Sequence, residues 1–347
     1  MNATSLRAVV VGTGSIGGRH ARNLRQVGVR HVALCDLDGA RAAKLAREID
    51  ADEISVDLGE LLARFRPQAV LVCTPPASHL AIAEQALAAG AHVFCEKPLA
   101  PSLDGVDRLL AQVDRSGRVL MMGMCYRFHP GLRRLQQRLA RGTVGRLLGA
   151  QLWSGQYLPD WHPWADYRTE YSARRALGGG VLLDSIHSFD TLRWVLGEPV
   201  EVIGMRARVS DLEIDTEDLA AAVLRLDGGA VVEVHVDYLQ RHAESRFEVI
   251  GSEGNLVWDF AARAVRWRCA GRAEWTAETI AFEANEMYVA ELAEFLDCVA
   301  RGRRPALDGA EGRATLALAV AVRESADTGR LVRLGPARRG NLLAEVG

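Results

Sequence analysis

Short β-branched apolar runs alternate with longer segments of helical periodicity over the first third of the chain. The runs are continuous, which is typical of strands in a parallel sheet that is covered on both faces. The helical segments between them end at residues that stop helices, such as Gly28, Pro67 and Gly90. We therefore predict a doubly wound α/β domain over residues 1–124. Its predicted strands are residues 6–12, 31–36, 68–74, 91–96 and 118–124.

The pattern changes to strict alternation in the second half, most clearly over residues 229–239. The sequence Asp-Gly-Gly at 227–229 predicts a hairpin turn before this strand. Amphipathic helices are predicted at 285–302 and 309–329. We expect an α+β domain over residues 125–335 with a large, mainly antiparallel open sheet, and the late helices can pack back on the first domain. The residues that share the apolar face of the alternating strand are Val232, Val234, Val236 and Tyr238.

Composition and charge exclude several classes of function. The chain has 347 residues with a formal net charge of -2, so no excess of positive charge is available for nucleic acid. No apolar run reaches the ~20 residues of a membrane helix, and the N-terminus lacks the pattern of a signal peptide. The six cysteines have no CxxC spacing and are predicted to be free thiols. These features indicate a cytoplasmic enzyme or binding protein with a small-molecule ligand.

A glycine-rich turn follows the first predicted strand and precedes the first predicted helix. Glycines in this GxGxxG pattern allow a tight turn and close approach of a pyrophosphate to a helix N-terminus. Asp36 ends the second strand, where a carboxylate can accept hydrogen bonds from an adenosine ribose and repel a 2′-phosphate. NAD is therefore favoured over NADP, although Arg19 and Arg41 could reach an extra phosphate. The turn consists of Gly12, Thr13, Gly14, Ser15, Ile16 and Gly17.

Two further turns follow later strands and are predicted to lie on the same edge of the sheet. Ligands of doubly wound sheets bind outside the carboxyl ends of the strands. Thr74 and Pro75 could line the nicotinamide-side ribose or could form a simple turn, and His79 is assigned to the same cofactor side. Glu96 and Lys97 follow the next strand, so Lys97 is expected beside the nicotinamide, where an ammonium can exchange a proton with a substrate hydroxyl.

A second candidate cluster lies in the segment 177–199, where Gly178 to Gly180 lead into a predicted helix. Asp184 and His187 are three residues apart and so lie on neighbouring helix faces. His187 could be catalytic or could be a core histidine with a satisfied ring. A carboxylate with an imidazole also suggests a metal, but this pair supplies only two ligands and His162 is the only candidate for a third. We therefore predict no metal.

The chain resembles the glucose–fructose oxidoreductase / inositol dehydrogenase / MocA family of NAD(P)-dependent oxidoreductases over nearly its whole length. The resemblance rests on GTGSIGGRHARNL, CEKPLA, YRFHPGLRRL and GGGVLLDSIHSFDTLRWVLG. It implies a Rossmann domain followed by a domain with a large open sheet that forms homodimers or homotetramers. It also implies that Lys97 and His187 take part in proton transfer and that the Lys97–Pro98 bond is cis.

The mechanism implied by the resemblance is hydride transfer between a nicotinamide and a secondary alcohol or ketone of a sugar, cyclitol or sugar derivative, including a nucleotide-linked one. His187 would act as general base and Lys97 would polarise the substrate oxygen, or the two would exchange roles. Many members space the helix acid and histidine four residues apart. Counted back from Trp194, His187 keeps its expected place here and Asp184 is the displaced residue.

Substrate contacts are predicted from the aromatic segment 154–175 and from the region near the domain junction. Aromatic rings suit the apolar faces of a sugar, and interleaved donors suit its hydroxyls. The segment could equally be a loop over the mouth of the site or a subunit contact. The candidate substrate-binding residues are Arg127, Trp164, Tyr167, Arg168, Asp184 and His187.

Two other functions fit the same sequence. A non-catalytic regulator could use this fold to bind NAD(P) and a protein partner, although such a regulator need not keep both Lys97 and His187. A dihydrodiol-type dehydrogenase is the other alternative, against which the aromatic segment argues.

Overall fold

A computed structural model of the protein describes residues 5–335, so residues 1–4 of the first predicted domain lie outside the described part. The first sheet has six parallel strands in the order β3-β2-β1-β4-β5-β6. This order reverses between β1 and β4, which is the switch point at which doubly wound sheets bind ligands. The strands are β1 (Arg7–Val11), β2 (His31–Cys35), β3 (Glu53–Ser55), β4 (Ala69–Val72), β5 (His92–Glu96) and β6 (Leu120–Gly123).

Helices connect the strands of this sheet and cover it. Strands β1, β4, β5 and β6 are almost entirely buried, as their continuous apolar runs predict. The edge strand β3 was not predicted, because its three residues are half-polar and too few to show a period. The helices are α1 (Ser15–Gln26), α2 (Gly39–Ile49), α3 (Leu58–Phe65), α4 (His79–Ala88) and α5 (Val106–Ser116).

The second sheet has nine strands in the order β14-β13-β12-β11-β7-β10-β9-β8-β15. All neighbours in it are antiparallel except the central pair β7 and β10. The fold class predicted from the sequence is therefore confirmed. The strands are β7 (Leu147–Gly155), β8 (Pro199–Ala207), β9 (Leu219–Leu226), β10 (Val231–Asp237), β11 (Glu244–Gly251), β12 (Gly254–Asp259), β13 (Ala264–Cys269), β14 (Thr276–Thr279) and β15 (Val332–Arg333).

The predicted hairpin joins β9 to β10. Gly229 takes a positive φ of 84°, and its amide donates to the carbonyl of Leu226, which closes the turn. The predicted apolar face of β10 is buried, whereas Glu233 on the opposite face is exposed. Alternation in the sequence therefore reports a sheet with one covered face and one open face.

Helices cover one face of the second sheet, and the last two return to the first sheet. Gly309 lies so close to the first domain that a Cβ atom there would meet a side-chain carbon of Leu110 at 2.5 Å. The side chains of Asn23 and Asn285 hydrogen-bond to each other between α1 and α9. No helix among residues 5–335 is both long and apolar enough to span a membrane. The helices of this half are α6 (Pro130–Ala140), α7 (Val181–Asp184), α8 (His187–Leu196), α9 (Ala284–Arg301) and α10 (Gly309–Thr328).

Candidate active site

The glycine turn between β1 and α1 has the close contacts that only glycine allows. Gly12 has a φ of 87°, and a Cβ atom there would lie 2.6 Å from the carbonyl oxygen of Cys73. A Cβ atom at Gly17 would overlap the carbonyl oxygen of Gly12. At Gly14 no atom of residues 5–335 lies within 4 Å of the same position, and no side chain from that part of the chain caps α1. The open position beside uncapped helix amides fits the pyrophosphate of a dinucleotide.

Asp36 follows β2 and holds this turn in place. Its Oδ2 accepts hydrogen bonds of 2.7 Å from the amide and from the hydroxyl of Thr13. Its Oδ1 accepts from the amide of Asp38 at 2.9 Å. The nearest cation is Arg41, whose Nε lies 3.9 Å from Oδ2. Asp36 therefore combines an anionic edge, suited to ribose hydroxyls, with a role in shaping the glycine turn.

The turns after β4 and β5 are joined by a buried histidine. The ring nitrogens of His79 lie 2.7 Å from the carbonyl oxygen of Pro98 and 2.8 Å from that of Thr74. Burial lowers the pKa of His79, and the side chain has no exposed surface. His79 therefore supports the cofactor side indirectly, by holding the two turns in place. The first of these turns also contains Pro75. The Lys97–Pro98 peptide bond is cis, as the resemblance implies.

Glu96 faces the interior beneath these turns. Its Oε1 lies 2.7 Å from Nε2 of His20, and its Oε2 accepts from the amide of Lys97 at 3.2 Å. Among the described residues, only His20, Glu96 and Glu291 bring three candidate metal-ligand atoms within 4.8 Å of one another. Burial, and then the charge of Glu96, raise the pKa of Glu291 well above its usual range. A protonated Glu291 lessens the repulsion between two buried carboxyl groups that lie within 4.8 Å of each other.

Lys97 reaches across from the first sheet to Asp184, the last residue of α7. Its Nζ lies 2.8 Å from Oδ1 of Asp184 and 2.7 Å from the carbonyl oxygen of the same residue. Burial alone would lower the pKa of Lys97, but the attraction of Asp184 outweighs it and raises that pKa well above its usual range. Lys97 is therefore an ammonium whose third N–H makes only a long contact, of 3.5 Å, with the hydroxyl oxygen of Tyr171.

The carboxylate of Asp184 is saturated with donors. Burial would raise its pKa, but the charge of Lys97 and the surrounding hydrogen bonds lower it. A carboxylate with four donors is held ionised and has no free lone pair with which to act as a base. Besides Lys97, the donors are the hydroxyl of Tyr171 to Oδ1, that of Ser172 to Oδ2 at 2.6 Å, and that of Tyr238 to Oδ2 at 3.1 Å.

The predicted helix is broken between Asp184 and His187. α7 ends at Asp184 and α8 begins at His187, so two residues outside regular helix separate them. The glycines before α7 allow close packing, because a Cβ atom at Gly179 would lie 2.1 Å from the carbonyl oxygen of Tyr171. This close approach places Tyr171 and Ser172 against Asp184, whose carboxylate also binds Lys97.

His187 lies at the start of α8 with its ring stacked on Tyr126, at a centroid distance of 4.7 Å and an interplanar angle of 8°. Its Nδ1 is buried and has no hydrogen-bond partner, and its Nε2 lies 4.0 Å from Sγ of Cys125. Burial, and then the positive charge of Lys97, lower the pKa of His187 to about 4. At neutral pH the ring is therefore an uncharged base with an unused nitrogen.

Comparison with known proteins gives the family. Residues 6–124 match the model of the Gfo/Idh/MocA oxidoreductase family with an NAD-binding Rossmann fold. Residues 132–257 match the C-terminal domain of the same family. The chain belongs to the Gfo/Idh/MocA oxidoreductases. It is accordingly an NAD-dependent oxidoreductase, as the sequence motifs predict.

Individual members of the Gfo/Idh/MocA family align over most of the chain. The myo-inositol 2-dehydrogenase of Thermotoga maritima is 29% identical over 341 residues, which are 95% of this chain and 98% of that protein. The myo-inositol dehydrogenase Hyg17 of Streptomyces leeuwenhoekii is 33% identical over 72% of this chain and 76% of its own length. The crystal structure of GenD2 from gentamicin A biosynthesis in complex with NAD is 27% identical, with a TM-score of 0.83 over 96% of this chain and 98% of that chain.

Arg127, predicted to hold substrate, is engaged elsewhere in this Gfo/Idh/MocA chain. Its guanidinium forms two hydrogen bonds with Asp190, at 2.7 and 2.9 Å, and a third with Glu311 at 2.8 Å. The residue is only 8% exposed. These bonds join the segment after β6 to α8 and α10, so Arg127 serves to fix the start of the second domain.

Arg168, in the aromatic segment, is paired with acidic side chains and is not free to bind an anion. Arg168 pairs with Asp166 at 2.8 Å and with Glu213 at 3.4 Å. The hydroxyl of Tyr167 accepts from the amide of Glu213 at 3.2 Å. Trp164 is 76% exposed and has the free ring face that a sugar could cover.

Sequence reasoning missed three residues of the site, namely Tyr171, Ser172 and Tyr238. Tyr238 directly follows β10 and is the last residue of its alternating apolar face. The alternation therefore predicted that Tyr238 is buried, but not that it contacts Asp184. Tyr171 and Ser172 lie in short 3₁₀ turns without a period that a sequence could report. The only signal in the sequence for this contact was the row of glycines at 178–180, which indicated close packing but not which residues pack there.

Proposed function

We propose that this protein oxidises a secondary alcohol of a sugar or cyclitol to a ketone with NAD, or catalyses the reverse reduction. The observation that carries the proposal is the pairing of a held ammonium, Lys97, with an uncharged imidazole, His187. Named relatives that act on myo-inositol support the substrate class. The cofactor-binding set is proposed to consist of the glycine turn, Asp36, and the turns that contain Thr74 and Glu96.

The two catalytic groups differ in their proton state, which assigns their roles. When bound, NAD supplies the hydride acceptor at its nicotinamide ring. His187 takes the proton of the substrate hydroxyl, because its ring is uncharged at neutral pH and the residue is only half-buried. Lys97 donates its remaining N–H to the same oxygen and stabilises the negative charge that develops on it. Asp184 positions Lys97 and does not itself move a proton.

We propose an uncharged polyol rather than a phosphorylated or nucleotide-linked substrate. Arg127 is held by Asp190 and Glu311, and Arg168 is held by two carboxylates. The charge of Lys97 is balanced by Asp184. At Arg127, Arg168 or Lys97 a phosphate would have to displace these carboxylates, whereas the hydroxyls of a neutral sugar need only donors, acceptors and an aromatic face such as Trp164.

A panel of polyols tests the proposed activity. Inositols, free sugars and nucleotide sugars are incubated with the enzyme and NAD, and the appearance of reduced nicotinamide is followed by absorbance. We expect turnover of at least one neutral cyclitol or sugar, and kcat/KM for nucleotide sugars at least tenfold lower. Absence of turnover with every compound, in both directions and across pH 6–10, would show that the protein is a binding protein instead.

The pH profile tests the role of His187. A base works only when unprotonated, so a pKa near 4 predicts that kcat/KM does not fall as the pH is lowered from 8 to 5.5. His187→Ala should lower kcat/KM by roughly 10²–10⁴ while NAD binding, measured by fluorescence titration, is retained. A decline centred near pH 6.5 would contradict the lowered pKa of His187, and an active His187→Ala enzyme would assign the base to another group. Activity recovered on return to pH 7 controls for unfolding.

We also propose that the protein is a cytoplasmic homodimer or homotetramer assembled through the open face of the second sheet. All six cysteines are free thiols, which suits a reducing compartment. The uncovered face carries large apolar side chains that a second copy of the chain could bury. Its exposed apolar residues include Trp153, Ile203, Met205, Val223, Val231 and Ile250.

Charges on that face test the assembly. Met205→Glu combined with Val223→Glu places two carboxylates on neighbouring strands of the face, and burying them in an interface is costly. We expect light scattering to show an oligomer for the unsubstituted protein and a monomer for the double variant. Leu37→Glu, at a 93% exposed residue of the first domain, is the matched control and should remain oligomeric. A monomeric unsubstituted protein refutes the proposal, as does an oligomeric double variant.

A further inference from the structure

Tyr171 lies beside Lys97 and shares one carboxylate oxygen with it. The Tyr171 hydroxyl donates to Oδ1 of Asp184, which also accepts from Lys97. The phenol oxygen lies 3.5 Å from Nζ of Lys97. Tyr171 is half-buried, whereas Tyr238, which donates to the other carboxylate oxygen, has no exposed surface. Of these two tyrosines, Tyr171 is therefore the one that a ligand can reach.

The contacts of Tyr171 and Lys97 determine which hydrogen bonds each of them can still form with a ligand. A tyrosine hydroxyl has one proton and acceptor lone pairs, and the proton of Tyr171 is committed to Asp184. Burial and the charge of Asp184 raise the pKa of Tyr171 well above its usual range, so the phenol keeps that proton. Two of the three protons of Lys97 are directed to Asp184. The third proton of Lys97 faces the Tyr171 oxygen across 3.5 Å, a contact long enough for a ligand to replace with one hydrogen bond from Lys97 and one to Tyr171.

We propose that Tyr171 binds the hydroxyl next to the reacting carbon, so that the enzyme requires a substrate with two adjacent hydroxyls. This inference rests on the proposed function and extends it to the pattern of hydroxyls that the site accepts. The spacing of Nζ and the phenol oxygen suits two oxygens on neighbouring ring carbons. Each of these oxygens can then lie within hydrogen-bond distance of its own partner.

The direction of each hydrogen bond follows from the chemistry. The reacting hydroxyl gives its proton to His187, so its oxygen can only accept from Lys97. The adjacent hydroxyl still has a proton, which it donates to Tyr171. A methylene, ether or ketone at the adjacent carbon has no such proton and would leave that lone pair of Tyr171 without a partner in the substrate. A site built to pair a hydroxyl discriminates strongly against an analogue that lacks it.

Removal of the phenol oxygen tests the inference. Tyr171→Phe keeps the ring and removes the acceptor. The unsubstituted enzyme and this variant are compared with myo-inositol and with its deoxy analogues that lack a hydroxyl beside the reacting carbon. We expect the unsubstituted enzyme to favour myo-inositol by about tenfold or more in kcat/KM, in line with the loss of one buried hydrogen bond. In Tyr171→Phe this preference should fall towards one, because kcat/KM for myo-inositol falls while that for the analogues changes little.

A matched control separates binding from a general effect on Asp184. Ser172→Ala removes a donor from Oδ2, the carboxylate oxygen that faces away from Lys97. It should change kcat/KM for both substrates by the same factor and leave the preference intact. Calorimetric titration of myo-inositol into the complex with NADH gives a second readout, in which Tyr171→Phe should bind about tenfold more weakly.

The outcomes distinguish this inference from the proposed function. An unsubstituted enzyme that oxidises and binds myo-inositol, with the same preference retained in Tyr171→Phe, overturns the role of Tyr171 alone. Equal loss of preference in Ser172→Ala overturns it as well, because the effect would then come from Asp184. An enzyme that neither binds nor oxidises myo-inositol or any other polyol of the panel contradicts the proposed function and the inference together.

Discussion

The ion pair between Lys97 and Asp184 is the contact on which the site depends. It joins the carboxyl end of a strand in the first sheet to the end of a helix that belongs to the second half of the chain. Both side chains are largely buried, and breaking one partner of such a pair costs about 3–5 kcal/mol because it leaves an uncompensated charge. The pair therefore fixes the ammonium in the interior and fixes the relation between the two parts of the site.

The electrostatics of the other groups follow from that pair. The positive charge of Lys97 adds to burial in keeping His187 uncharged, and the negative charge of Asp184 keeps the proton on Tyr171. Burial together with this ion pair keeps Lys97 and Tyr171 protonated and His187 uncharged, which provides a donor, an acceptor and a base at neutral pH. His79 holds the turns after β4 and β5 together. These turns lie at the same edge of the first sheet as the glycine turn, so the three groups face the proposed cofactor site.

Periodicity and local motifs predicted the fold and part of the site because those features are local in sequence. The continuous runs predicted the parallel sheet, the alternation predicted the open one, and Lys97 could be placed at a strand end. The partner of Arg127 could not be predicted, because Asp190 and Glu311 are brought to it by packing over distances of 63 and 184 residues. For the same reason the sequence named Tyr171 only as part of an aromatic segment. The break between α7 and α8 could not be predicted either, because the apolar pattern continues from Leu182 to Leu192.

A double-mutant cycle on the ion pair measures the central claim directly. Lys97→Met, Asp184→Asn and the combined variant are assayed for kcat/KM with the best polyol substrate, and retained NAD binding shows that each variant is folded. If Asp184 acts only by positioning Lys97, the combined variant should be no less active than Lys97→Met alone. Losses that multiply in the combined variant would show that the two residues act independently and would contradict the account.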